Sequence, residues 1–159
     1  VNVDNAIQDV EWTTIAFFMA LFVVVGGLTE TGVIKQVAAV IIERTAGHPV
    51  MMMLILLWAS ALLSSFLNNI PFIATLIPLV IALKADGMDA EPLWWAISLG
   101  ACLGGNGTMI GASANVVLSD ISTKHGYPIT FKSYLRVGMP FMLGSVFISM
   151  VFLLVKYAI

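Results

Sequence analysis

Gly100-Ala101-Cys102-Leu103-Gly104-Gly105-Asn106-Gly107-Thr108-Met109-Ile110-Gly111-Ala112-Ser113-Ala114-Asn115 lies inside a run without a charged residue, from Pro92 to Ser119. An apolar run of that length reads as a membrane span, since about 20 apolar helical residues cross a hydrocarbon core of about 30 Å. Its centre, Gly-Gly-Asn-Gly-Thr, is poor helix material. Backbone that stops being helical at membrane depth exposes N–H and C=O groups that lipid cannot satisfy. Such backbone is tolerated only where it lines a cavity or is buried in protein. This stretch is therefore the first place to look for function.

The rest of the chain supports the membrane reading. It is 60% hydrophobic and 10% charged, with a mean hydropathy of +1.01. Soluble domains carry about 25% charged residues. The charges leave four free runs: Trp12–Thr29, Thr45–Leu83, Pro92–Ser119 and Val137–Val155. The net charge of −2 suggests no nucleic-acid partner. With Cys102 as the one cysteine, no disulfide forms within the chain, and the residue reads as a small packing group.

The expected organisation is all-α and integral to the membrane, a single membrane domain over 1–159. Residues 12–29 form a span, with Trp12 as an interface anchor. Residues 31–45 form an amphipathic interfacial helix, with Val33, Ile34, Val37, Val40 and Ile41 on one side and Lys35, Gln36, Glu43 and Arg44 on the other. Residues 50–84 are too long for one span and break at Asn68-Asn69-Ile70-Pro71. The second arm, Phe72–Leu83, is too short to cross. That predicts a re-entrant hairpin with its tip inside the membrane; two tight spans joined by a surface turn are the alternative. Residues 92–122 form a broken helix, interrupted at Gly105–Thr108, with Thr108 capping a second half that starts near Met109. Residues 137–156 form a last span, with Pro140 in its first turn and Lys132, Tyr134 and Arg136 flanking it.

Two helix breaks in one small bundle suggest an ion site. Half-helix N-termini present N–H groups that suit an anion, and C-termini present carbonyls that suit a cation. Asn68, Asn69 and Pro71 mark one break; Asn106, Gly107, Thr108, Ser113 and Asn115 mark the other. Side-chain oxygens of Asn69, Asn106 and Thr108 could hold Na+. Asp120 has two readings, a proton carrier or an interfacial charge, and Glu30 reads as the latter. The pairs Gly100/Gly104 and Gly107/Gly111 also fit plain helix packing.

Enzyme chemistry is disfavoured. His48 and His125 sit at membrane edges, away from any intramembrane Ser. There is no phosphate-binding Gly-rich motif and no Cys/His cluster. No cofactor is implied beyond Na+ or H+ as a coupling ion. A passive channel and a purely structural bundle remain as alternatives to a carrier.

At these residues a family resemblance enters. Ser64-Ser65-Phe66-Leu67-Asn68-Asn69-Ile70-Pro71-Phe72 resembles the hairpin motif of the ArsB/NhaD permeases of the ion transporter superfamily, which include citrate-transporter-like members. Gly104–Val117 closely resembles their broken-helix motif, and Leu28-Thr29-Glu30-Thr31-Gly32 also fits. The resemblance runs from about Glu11 to Lys156. It implies a fold of two inverted repeats, of which this chain is similar to the second. It also implies an elevator-type secondary carrier, with 12–29 as scaffold and the hairpin and broken helix moving. The implied partners are the lipid bilayer, a small inorganic or organic ion, an N-terminal half of the same transporter, and a second copy in a homodimer. The implied location is a bacterial or archaeal plasma membrane, crossed several times. Many members carry Asp at the position of Asn68, so this chain lacks that carboxylate.

Overall fold

The computed structural model describes residues 12–45, 48–67 and 69–157, and the described residues form helices and turns with no strand. The helices are α1 (Trp12–Glu30), α2 (Val33–Thr45), α3 (Pro49–Ser64), α4 (Asn69–Ala85), α5 (Ala90–Gly104), α6 (Ser113–Lys124) and α7 (Phe131–Tyr157). The all-α expectation holds.

The core forms around α5, which packs against α3, α4 and α7. On α3 the buried residues Met52, Met53, Leu56, Leu57, Ser60, Ala61 and Ser64 recur at helical spacing and form one stripe. That stripe meets α5 at very close range. A Cβ at Gly104 would lie 2.7 Å from the Cα of Ala61, and one at Gly100 would lie 2.8 Å from the Cβ of Ser60. Only glycine allows this approach. The Ser64 hydroxyl then donates to the Ala101 carbonyl across the interface at 2.7 Å. The Gly100/Gly104 pair is thus a packing seam, the membrane use of small residues four apart. Leu79, Val80 and Leu83 of α4 and Met142, Val146 and Leu153 of α7 complete the core. Among the described residues α3 and α4 barely touch each other, because α5 lies between the two arms.

The apolar surface faces outward. Met19, Phe22, Val23 and Val24 of α1 are exposed, as are Phe141, Phe147, Ile148 and Phe152 of α7. In a bilayer such faces carry no hydrophobic penalty, since lipid tails are as apolar as the side chains. Among the described residues one helix, α7 with 27 residues, is long and apolar enough to cross a membrane.

Three expectations change. First, α7 starts at Phe131, so Lys132, Tyr134 and Arg136 lie within it and Pro140 lies in its interior. A reciprocal cap explains the early start: Thr130 Oγ1 accepts from the Ser133 N–H at 3.2 Å, and the Thr130 N–H donates to Ser133 Oγ at 3.0 Å. Second, α4 starts at Asn69, with Pro71 in its first turn. A missing N–H costs nothing there, so the helix absorbs the Asn-Ile-Pro stretch and runs for 17 residues. Third, Cys102 is exposed. It sits on the face of α5 opposite Gly100 and Gly104, and so takes no part in the packing seam.

Candidate functional site

The backbone between α5 and α6 leaves the helix from Gly105 to Ala112 and forms turns. The interruption is longer than Gly105–Thr108, and Thr108 does not cap the second half. Its hydroxyl is used elsewhere. Thr108 is fully buried and donates through Oγ1 to the Ser65 carbonyl, just past the end of α3. The N-cap of α6 is Ala112, with no side-chain cap.

This hydrogen bond joins the two turn regions. Gly111 lies in the same contact: a Cβ there would sit 2.8 Å from the Ser65 carbonyl oxygen and 2.7 Å from that of Gly105. The other face of the loop meets α7. A Cβ at Gly138 would lie 2.7 Å from the Asn106 carbonyl oxygen, and one at Gly107 would lie 3.1 Å from the Met142 Cε. Counted along α7, positions 138 and 142 lie roughly 10–17 Å from the start of a helix roughly 40 Å long. A hydrocarbon core of about 30 Å centred on α7 would enclose that level.

Some carbonyls at the end of α5 and in the loop are engaged. Leu103 accepts from the Asn106 N–H, Gly104 from the Gly107 N–H, and Thr108 from the Gly111 N–H. Asn115, in the first turn of α6, reaches back through Nδ2 to the Gly105 carbonyl at 2.8 Å and the Thr108 carbonyl at 3.1 Å. Two carbonyl acceptors fix its amide orientation, so Oδ1 points away from them, with no protein partner among the described residues. Asn106 is half-buried, and its side chain makes no hydrogen bond among the described residues.

Asn106 and Asn115 line one cleft of about 500 Å³ between the break and the first half of α7. Ser133 and Tyr134 supply its other polar groups, and Leu118, Ile129, Val137 and Phe141 form apolar wall. The cleft draws together two of the residues singled out from sequence. Gly107 and Thr108 are buried behind it as packing and as a link, and Ser113 is exposed at the start of α6. Asn69 is half-buried at the start of α4 and does not line the cleft. Asn68 and the side chain of Pro71 lie outside the described residues. Asp120 is also outside the cleft, ion-paired with Lys124 at 2.7 Å on an exposed face. Sequence reasoning missed the α7 contribution. Tyr134 read as a flank, and only the Thr130/Ser133 cap signature could have brought it into a helix.

A broken helix, close-packed glycines and outward-facing apolar helices fit a membrane protein. Residues 1–100 match the family model described as citrate transporter, and the chain belongs to that family. It is 44% identical over 158 residues to the human P protein, a match that covers 94% of this chain and 19% of that protein. It is 38% identical over 156 residues to a 46 kDa membrane protein of Mycobacterium leprae, covering 96% of this chain and 36% of that one. It is 36% identical over 168 residues to an uncharacterized transporter of Synechocystis, covering 95% and 37%. The chain thus spans about a fifth to somewhat over a third of the length of these relatives. No solved structure matches.

Proposed function

We propose that this chain is one half of a secondary active carrier for a small ion, with its site at the helix break and the adjoining hairpin turn. The observation that carries this reading is the link between the two turns, the Thr108 hydroxyl on the Ser65 carbonyl. A structural bundle has no need to place two non-helical stretches against each other at membrane depth. In this reading α3 and α4 are the arms of a re-entrant hairpin. The 16 residues of α3 reach about 24 Å, short of a hydrocarbon core of about 30 Å. A second, inverted repeat supplies the other half of the site, α1 belongs to the static scaffold, and the hairpin and broken helix move together as an elevator. The whole is a multi-pass protein of a plasma membrane.

The transported ion is an anion. What supports an anion is the start of α6, where the N-cap residue Ala112 offers no side-chain cap and the positive end of the helix dipole lies. Na+ or H+ is the coupling ion. For Na+, oxygen atoms of Asn69, Asn106 and Thr108 are the ligands this half would contribute.

The test uses the complete transporter in proteoliposomes. Asn106→Ala and Asn69→Ala each reduce ion-driven uptake at least tenfold, with unchanged membrane insertion. Normal uptake by both variants removes the site assignment. Uptake that never exceeds the imposed gradient removes the carrier.

A further inference from the structure

The cleft described above is chemically lopsided, and that bears on what it can hold. Among the described residues, its lining includes no charged side chain. The polar groups are Asn106 and Asn115 from the break and Ser133 and Tyr134 from the start of α7, while Leu118, Ile129, Val137 and Phe141 make up most of the wall. Ser133 Oγ is already committed to the Thr130 carbonyl at 2.9 Å. Asn115 Nδ2 is committed to two loop carbonyls. The amide of Asn106 and the hydroxyl of Tyr134 therefore remain as donors without a partner among the described residues. Both are neutral.

Two neutral donors beside a helix N-terminus can hold one carboxylate. These two donors alone do not compensate two or three negative charges, because each carboxylate taken from water must be paired or hydrogen-bonded to repay its desolvation. The apolar wall points the same way. A ligand that filled the cleft with polar atoms would leave them facing Leu118, Val137 and Phe141 without partners, whereas a hydrocarbon body gains by burial there.

From this we infer that the cleft between the broken helix and α7 takes an organic acid with a single carboxylate and a compact apolar body, and discriminates against di- and tricarboxylates. The carboxylate lies on the Asn106 amide and the Tyr134 hydroxyl; the body lies along Leu118, Val137 and Phe141. For transport this rests on the carrier reading; for binding it rests on the lining that this chain supplies.

The experiment separates the two. The complete transporter, purified in nanodiscs, is titrated with 3-phenylpropionate and with citrate, and binding is read from the shift in melting temperature. The same protein in proteoliposomes is assayed for uptake of labelled 3-phenylpropionate. The expected result is at least tenfold tighter binding of 3-phenylpropionate than of citrate. Val137→Trp and Leu118→Trp fill the cleft from side chains that are 71% and 59% exposed on this chain, and the melting temperature of each variant without ligand checks that it folds. Each should weaken 3-phenylpropionate binding at least tenfold. Citrate binding as tightly as 3-phenylpropionate overturns the inference, as does unchanged 3-phenylpropionate binding in both filled variants. Cleft-dependent binding without uptake supports the inference and counts against the carrier reading. Uptake of another ion, with no 3-phenylpropionate binding, does the reverse.

Discussion

Thr108 shows how one side chain sets the geometry of the break. A threonine after Gly-Asn-Gly reads as an N-cap, because its hydroxyl can bond the first amides of a following helix. Here the hydroxyl turns to the Ser65 carbonyl instead, and the residue is fully buried. Removing that donor leaves the carbonyl unpaired, a loss of roughly 1–3 kcal/mol. Thr108→Val keeps the shape and removes the donor, so it should lower stability by about that amount. Thr108→Ser keeps the donor and should recover most of the loss. Thermal unfolding of the complete protein in detergent reads both. If valine and serine behave alike, packing rather than the hydrogen bond holds the loop. A break is legible in the sequence itself, because Gly, Asn and Thr interrupt an apolar run. Their individual roles are not, because a turn has no period. Nothing in the spacing of Asn106 and Thr108 says that one lines a cleft and the other is buried.

Elements were more legible than their ends. Charge-free runs announce helices because lipid admits few other spanning structures. Ends depend on caps and prolines, which local context decides. The Thr130/Ser133 cap starts α7 at Phe131 rather than Val137, adding roughly 9 Å of helix. That extension supplies Tyr134 to the cleft. Pro140, now interior, leaves the Arg136 carbonyl without its usual donor at the level of the break. The glycines divide in the same way. Gly104 on α5 is pressed against Ala61, whereas a Cβ at Gly144 on α7 would meet nothing within 4 Å. Gly104→Val should therefore destabilise the protein by about 1–3 kcal/mol or more through overpacking. Gly144→Ala should be neutral or stabilise by about 0.5–1 kcal/mol through helix propensity. Denaturant or thermal unfolding distinguishes them, and equal effects would show that the α3–α5 seam is not under steric control.

Among the described residues, charge gathers towards the ends of the helices, and the buried core is apolar. At one end Glu91 accepts from the Tyr157 hydroxyl at 2.7 Å and lies 3.4 Å from Lys156, which also sits 5.1 Å from the Trp95 ring. This cluster ties the start of α5 to the end of α7. At the other end Asp120 pairs with Lys124 on the exposed side of α6. An exposed pair four residues apart on a helix contributes only about 0.3–0.5 kcal/mol. Neither charge cluster touches the cleft. The separation bears on Asp120, whose place near the end of an apolar run fits a proton carrier as well as an interfacial charge. A proton carrier must meet the transported ion or its pathway, whereas in this chain the carboxylate is held by Lys124 on the exposed side of α6. Asp120→Asn in the complete transporter should keep uptake within about twofold of the parent across pH 5–8, because only a surface ion pair is lost. Lys124→Gln should behave the same way. A selective loss of pH dependence in the Asp120 variant, with Lys124→Gln unaffected, would place the carboxylate on the proton path and move part of the site from the cleft to the outer face of α6.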